Sequence, residues 1–160
     1  MNWPEKEVGH VSAEGRLREL NVTLPTPRSP IGTYSRTVRV GDTVYVAGTG
    51  SRIENDAVYG KLGRDVSVEE GYRAARICGL SVLATLRDAL GSLDKVKRIV
   101  AVTGYVNATD DFKEHPKVLN GASDLFVEIF GEQGRQARTA VGIGSLPLGL
   151  AVEIEVIVEC

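Results

Sequence analysis

The 160-residue chain predicts an α+β domain, a mixed β-sheet with two helices packed on one of its faces. Three observations carry that class. Short runs rich in β-branched residues and alternating with period two stand near residue 40, near residue 100 and at the C-terminal end. Two long stretches with apolar residues at helical spacing separate them. The resulting order is two strands, helix, strand, helix, two strands. The length suits one domain with a sizeable core.

The elements follow in order. Residues 12–21 read as a short amphipathic helix with Ser12 as cap and Leu17 and Leu20 as contacts. Pro25, Pro27 and Pro30 exclude regular helix from 24–30, which reads as an extended connector. Residues 1–30 are therefore a helical extension with a Pro-rich connector, and 31–160 the main domain. Strands are expected at about 35–40 and 43–47, with Gly41-Asp42 as the turn, in the reverse of the usual hairpin order. Residues 48–63 are loop with an edge strand at most.

The strongest helix spans 67–90. Ser67 and Glu70 form a capping box, and Gly91 is its stop. Tyr72, Ala75, Leu80, Leu83, Leu86 and Leu90 give it a broad apolar face. Residues 96–106 form a β-branched strand. A second helix covers 112–130, entered through Asp110 and Asp111 and regular from about Pro116, with Gly131 and Gly134 beyond its end.

The last quarter reads as two strands around a Leu146-Pro147 turn. In the second, Val152, Ile154, Val156 and Val158 point one way and Glu153, Glu155 and Glu159 the other. In the first, Val141 and Ile143 form the apolar side, and Arg138, Ala140, Gly142 and Gly144 the opposite one. This pairing predicts Arg138 and Glu153 on one sheet face among very small residues, with room beside a cation for a small anion. The helices are expected on the Val/Ile face. The other face, with Tyr45, Ala47, Arg138, Ala140, Gly142 and Glu153, meets water or other subunits.

Composition excludes several classes. The formal net charge is -2, so no global field favours nucleic acid. No apolar run is long enough for a bilayer, and the first seven residues lack a basic-then-apolar leader pattern. A cytoplasmic location is the expectation. Cys78 falls inside a helix and reads as a small buried hydrophobe. Cys160, the last residue, reads as exposed. His10 and His115 have no ligand partners at metal spacing, so no metal site is expected. Gly48-Thr49-Gly50 and Gly142-Ile143-Gly144 lack a phosphate loop's context. Lys95, Lys97 and Arg98 read as a solvated edge.

Several separated motifs, in order, resemble the RidA (YjgF) family of reactive-intermediate deaminases. Arg138 is followed fifteen positions later by Glu153, with Leu146-Pro147 between and Val152-Glu153-Ile154-Glu155 at the end. Ile31-Gly32-Thr33-Tyr34 resembles the loop bearing the family's substrate-site tyrosine. Val44-Tyr45-Val46-Ala47-Gly48 resembles its second strand. Asn120-Gly121-Ala122-Ser123-Asp124-Leu125-Phe126 resembles its asparagine-bearing helix. The match runs from about Pro30 to Cys160 and is nearest a longer-chain subgroup with the pattern Asp65-Val66-Ser67-Val68-Glu69-Glu70-Gly71-Tyr72 and a helical extension.

The resemblance implies a chorismate-mutase-like fold assembled as a homotrimer, open sheet faces inward, with a site at each subunit boundary. It also implies hydrolysis of 2-aminoacrylate-type enamines, through their imines, to 2-keto acids and ammonia. No cofactor is needed, since the imine carbon is already electrophilic. From the residues alone, Arg138 is equally a carboxylate anchor, through its planar fork, or an interfacial ion-pair partner. The resemblance points to the anchor. Glu153 is the candidate acid/base, with a solvated or inter-subunit carboxylate as the alternative. Tyr34 closes over a ligand or plugs a strand start. Asn120 orients Arg138 or the loop, or is a structural amide. Gly48 allows close backbone approach or serves a turn, and the Ala140 carbonyl can hold a water.

Four positions depart from the family. Ala47 stands for a serine, Thr49 for a glutamine, Ala140 for a cysteine and Gln136 for a Pro or Ala. Two other readings remain beside the deaminase. One is a non-catalytic trimer that binds a keto acid. The other is the endoribonuclease and translation-inhibitor role of some relatives, which the acidic balance and the lack of a catalytic His pair oppose.

Overall fold

A computed structural model describes residues 12–160. Met1 to Glu7 and His10, on which the leader and metal readings partly drew, lie outside the described residues. Five strands form one mixed sheet in the order β1-β2-β5-β3-β4. They are β1 (Thr37–Val40), β2 (Thr43–Gly50), β3 (Arg98–Asn107), β4 (Ala137–Ile143) and β5 (Val152–Glu159). Neighbours are antiparallel except β3 and β4, which run parallel because a helix carries the chain between them. β4 is therefore an edge strand.

Three helices lie on one side: α1 (Ala13–Glu19), α2 (Val68–Leu90) and α3 (His115–Phe130). α2 begins in the expected capping box between Ser67 and Glu70, and ends on Gly91 in the left-handed conformation. α2 and α3 approach so closely that a Cβ on Gly121 would overlap the Tyr72 carbonyl oxygen. α1 packs against α3, and its Ala13 and Leu17 join the core. Glu14 ties α1 down, accepting from Arg87 Nη2 at 2.7 Å and from the Leu93 amide at 3.1 Å. The Gly41-Asp42 turn has Gly41 at φ +60°, the first-position glycine that a type II′ hairpin requires.

The core lies between the helices and one sheet face. Val152, Ile154, Val156 and Val158 of β5 face it, as their alternation predicts, with Val44 and Val46 of β2 beside them. The other face of the sheet is open. One register row across it reads Val38, Tyr45, Ile157, Ala101 and Ala137.

The structure corrects two expectations. On β4 the faces are reversed. Arg138 pairs with Val102, which also pairs with the buried Val156, so Arg138 and Ala140 face the helix layer. Val141 is exposed on the open face. The physical reason is that α3 packs over this side of β4: His115 occupies the space a Gly142 Cβ would take, and the Arg138 guanidinium finds its hydrogen-bond partners on the helix. The second correction is Cys160, which is buried. Its amide donates to the Asp42 carbonyl at 2.8 Å, and Lys97 Nζ donates to its carbonyl at 3.0 Å. Cys78 is buried as expected, and burial pushes its thiol pKa well up.

Candidate functional site

The predicted site residues separate into two groups on opposite faces of the sheet. The first surrounds Arg138 at the β4 edge. Its Nη1 donates to Asn120 Oδ1 at 2.9 Å and to Ser123 Oγ at 3.0 Å, and its Nη2 to the Pro116 carbonyl at 3.3 Å. All three partners lie on α3. Asn120 and Ser123 are three residues apart, the spacing that places two side chains on one helix face. No carboxylate pairs with Arg138 among the described residues. Ala140 follows two residues later on the same face and packs against the core.

The second group surrounds Glu153 on the open face. Glu153 lies opposite Gly50 of β2 on one side and Tyr105 of β3 on the other. β2 slips register between Val46 and Thr49, so Ala47 and Gly48 form a bulge beside it. The Glu153 carboxyl lies against this backbone, and a Cβ on Gly48 would overlap its Oε1. Gly48 thus admits the carboxyl of Glu153. The Arg36 carbonyl accepts from the Ala47 amide at 2.9 Å, which ties the Tyr34 loop to the same bulge. Tyr34 itself is exposed, and its hydroxyl has no partner among the described residues.

Electrostatics distinguish the two groups. Burial raises the pKa of Glu153 above the ordinary glutamate value, and the nearby Glu155 carboxylate adds to the rise. The Tyr105 hydroxyl donates to Glu155 Oε2 at 3.1 Å, and its own pKa is raised by burial, then by Glu155. Thr49 turns away from this face, is buried, and donates to the Ala47 carbonyl at 2.9 Å. A pocket of about 320 Å³ opens at the far end of β4 between Phe112, His115 and Gly142, and neither Arg138 nor Glu153 lines it. Within one chain, then, the arginine and the glutamate do not share a cavity.

Sequence reasoning missed two members of the arginine group. Ser123 Oγ accepts from Arg138 and also from Gln136 Nε2, the latter at 2.6 Å. The available signals were the three-residue spacing from Asn120, and a polar residue at 136 where the resembled family has Pro or Ala.

Comparison with known proteins agrees with this architecture. The family model described as "YjgF/chorismate mutase-like, putative endoribonuclease" matches residues 14–159. Protein TCP17 of Trypanosoma cruzi is 42% identical over 155 residues, covering 94% of each chain. A 2-iminobutanoate/2-iminopropanoate deaminase of Dermatophagoides farinae is 31% identical over 139 residues, 86% of this chain and 93% of that one. A crystal structure of a protein of unknown function from Agrobacterium tumefaciens superposes with a TM-score of 0.85 at 42% identity, covering 92% of this chain and 91% of that one. With nearly its whole described length matched, and the five-stranded sheet and helix layer in place, the chain belongs to the YjgF/chorismate mutase-like family, which is the RidA family of the sequence resemblance.

Proposed function

We propose that the chain is an imine deaminase acting as a homotrimer, each site assembled from the Arg138 group of one subunit and the Glu153 group of the next. The split geometry carries this reading. Among the described residues, an arginine without a carboxylate partner lies on one side of the sheet, and a half-buried glutamate whose pKa is raised by burial and by Glu155 lies on the other. Two faces of one sheet cannot meet within a chain. They meet when the open face of one subunit packs against the β4–α3 edge of another. The apolar row through Val38 and Tyr45, 53% and 47% exposed, supports such packing. The imine deaminase relative supports the chemistry.

Arg138 receives the carboxylate of the substrate. Glu153 of the partner subunit takes a proton from water as the water oxygen bonds to the imine carbon. That proton is returned to nitrogen. The carbinolamine then loses ammonia and leaves a 2-keto acid. Enamines enter as their imine tautomers. A carboxyl whose pKa is raised suits a group that must take up and return a proton in turn. The Tyr34 loop, on the Glu153 side, closes over the ligand.

A second reading, a trimer that binds keto acids without turnover, draws on one observation. Ala47 and Ala140 bring no hydroxyl or thiol to either group, and the Thr49 hydroxyl is spent on backbone.

The test is keto-acid and ammonia release from 2-iminopropanoate generated in place. Arg138→Ala is expected to lower kcat/KM roughly 10- to 100-fold. Glu153→Gln is expected to lower kcat by about a hundredfold or more. Unfolded and refolded together in equal amounts, the two inactive variants should recover about a quarter of the wild-type sites, since each boundary draws its two halves independently. Silent mixtures that have exchanged subunits would refute the composite site. A wild type that binds 2-oxobutanoate yet turns nothing over would favour the second reading. RNA cleavage surviving both substitutions would mark a contaminant.

A further inference from the structure

A guanidinium carries five N–H donors. α3 commits both Nη1 hydrogens of Arg138, one to Asn120 and one to Ser123, while Nη2 reaches the Pro116 carbonyl. Among the described residues, Nε–H and the second Nη2–H have no acceptor. Nε and Nη2 share one edge of the plane, the edge a carboxylate engages side-on. Protein holds the Nη1 end, while Nε–H and one Nη2–H remain without a protein acceptor among the described residues.

Ser123 is what makes that end definite. A hydroxyl oxygen has two lone pairs, and here both are used, by Arg138 Nη1 at 3.0 Å and by Gln136 Nε2 at 2.6 Å. Gln136 lies two residues before Arg138 and, like it, is half-buried. A Pro or Ala at 136 could make no such bond. The loop before β4 and β4 itself therefore both donate to one oxygen carried by α3.

We propose that Ser123 and Gln136 are positioning residues for Arg138. Gln136 fixes the Ser123 hydroxyl, and Ser123 with Asn120 fixes the guanidinium plane, so that only the Nε/Nη2 edge is offered to a planar carboxylate. Neither positioning residue touches the ligand. The proposal rests on the reading of Arg138 as the carboxylate anchor.

The first readout needs no ligand. In spectra of the full chain labelled with ¹³C,¹⁵N-arginine, the Arg138 Nη pair is identified by its absence in Arg138→Lys. A pinned guanidinium gives two separate Nη signals. Ser123→Ala and Gln136→Leu should merge them, and Ser123→Thr should restore the separation. A general loss of packing would lower the melting temperature without merging the pair. In titration with 2-oxobutanoate, Ser123→Ala should raise Kd roughly tenfold, and Gln136→Leu should add nothing in the Ser123→Ala background. A pair already merged in the wild type, or still separate in both variants, overturns the proposal. Merging in the variants without 2-oxobutanoate binding by the wild type supports the positioning and overturns the carboxylate anchor.

Discussion

Glu153 and Arg138 acquire their properties from different kinds of neighbour. Arg138 is defined by its hydrogen bonds to α3, with no carboxylate beside it among the described residues. Glu153 is defined by burial against a bulged backbone and by the like charge of Glu155. The sign of that effect can be worked out. In the proposed reaction Glu153 must be ionised to accept a proton from water, so activity is expected to fall as pH drops through its pKa. Because that pKa is raised, the acid limb lies at higher pH than an exposed glutamate would give. Glu155→Gln removes the neighbouring charge, lowers the Glu153 pKa and moves the acid limb to lower pH. A pH–kcat/KM profile measures this, and an unmoved limb would take Glu155 out of the account.

At the level of elements, the α2–α3 contact holds the Arg138 group in place. One tight point of it is Gly121, one residue after Asn120 and two before Ser123. A Cβ there would overlap the Tyr72 carbonyl, which is backbone and cannot swing aside. Gly121→Ala should force α2 and α3 apart at a cost of about 1–3 kcal/mol. That lowers the melting temperature by several degrees. It should also weaken 2-oxobutanoate binding, because the three α3 partners of Arg138 move with the helix. An unchanged melting temperature would mean that the helices yield there without cost. The helix limits and the capping box of α2 were legible because they rest on local hydrogen bonds among neighbours in sequence. The facing of β4 was not. Its Val141 and Ile143 look like a core face, yet they belong to the open side, because Ala140 and Gly142 are kept small by an approaching helix.

Among the described residues, an apolar row of the open sheet face is left uncovered. Val38 and Tyr45 stand next to each other on it, with Ile157 beyond. If this face is the subunit boundary, Tyr45→Asp places a charge in it without touching the core behind. Light scattering should then show the mass falling to that of one chain, with loss of turnover, while far-ultraviolet dichroism keeps its helical and strand content. An assembly unchanged by Tyr45→Asp would move the boundary elsewhere. No helix among the described residues is long and apolar enough to cross a membrane.

The sequence by itself determined the element order, the α2 caps and the buried face of β5. Each depends on short-range patterns, in which neighbouring positions decide the outcome. The tertiary structure alone decided that Arg138 and Glu153 lie on opposite faces of the sheet. That outcome depends on the parallel register of β4 against β3 and on the closeness of α3, and neither is encoded in the alternation of one strand. The same packing brought Gln136, thirteen positions away, to the Ser123 hydroxyl that Arg138 also reaches. A polar side chain declares its partners only once the chain has folded around it.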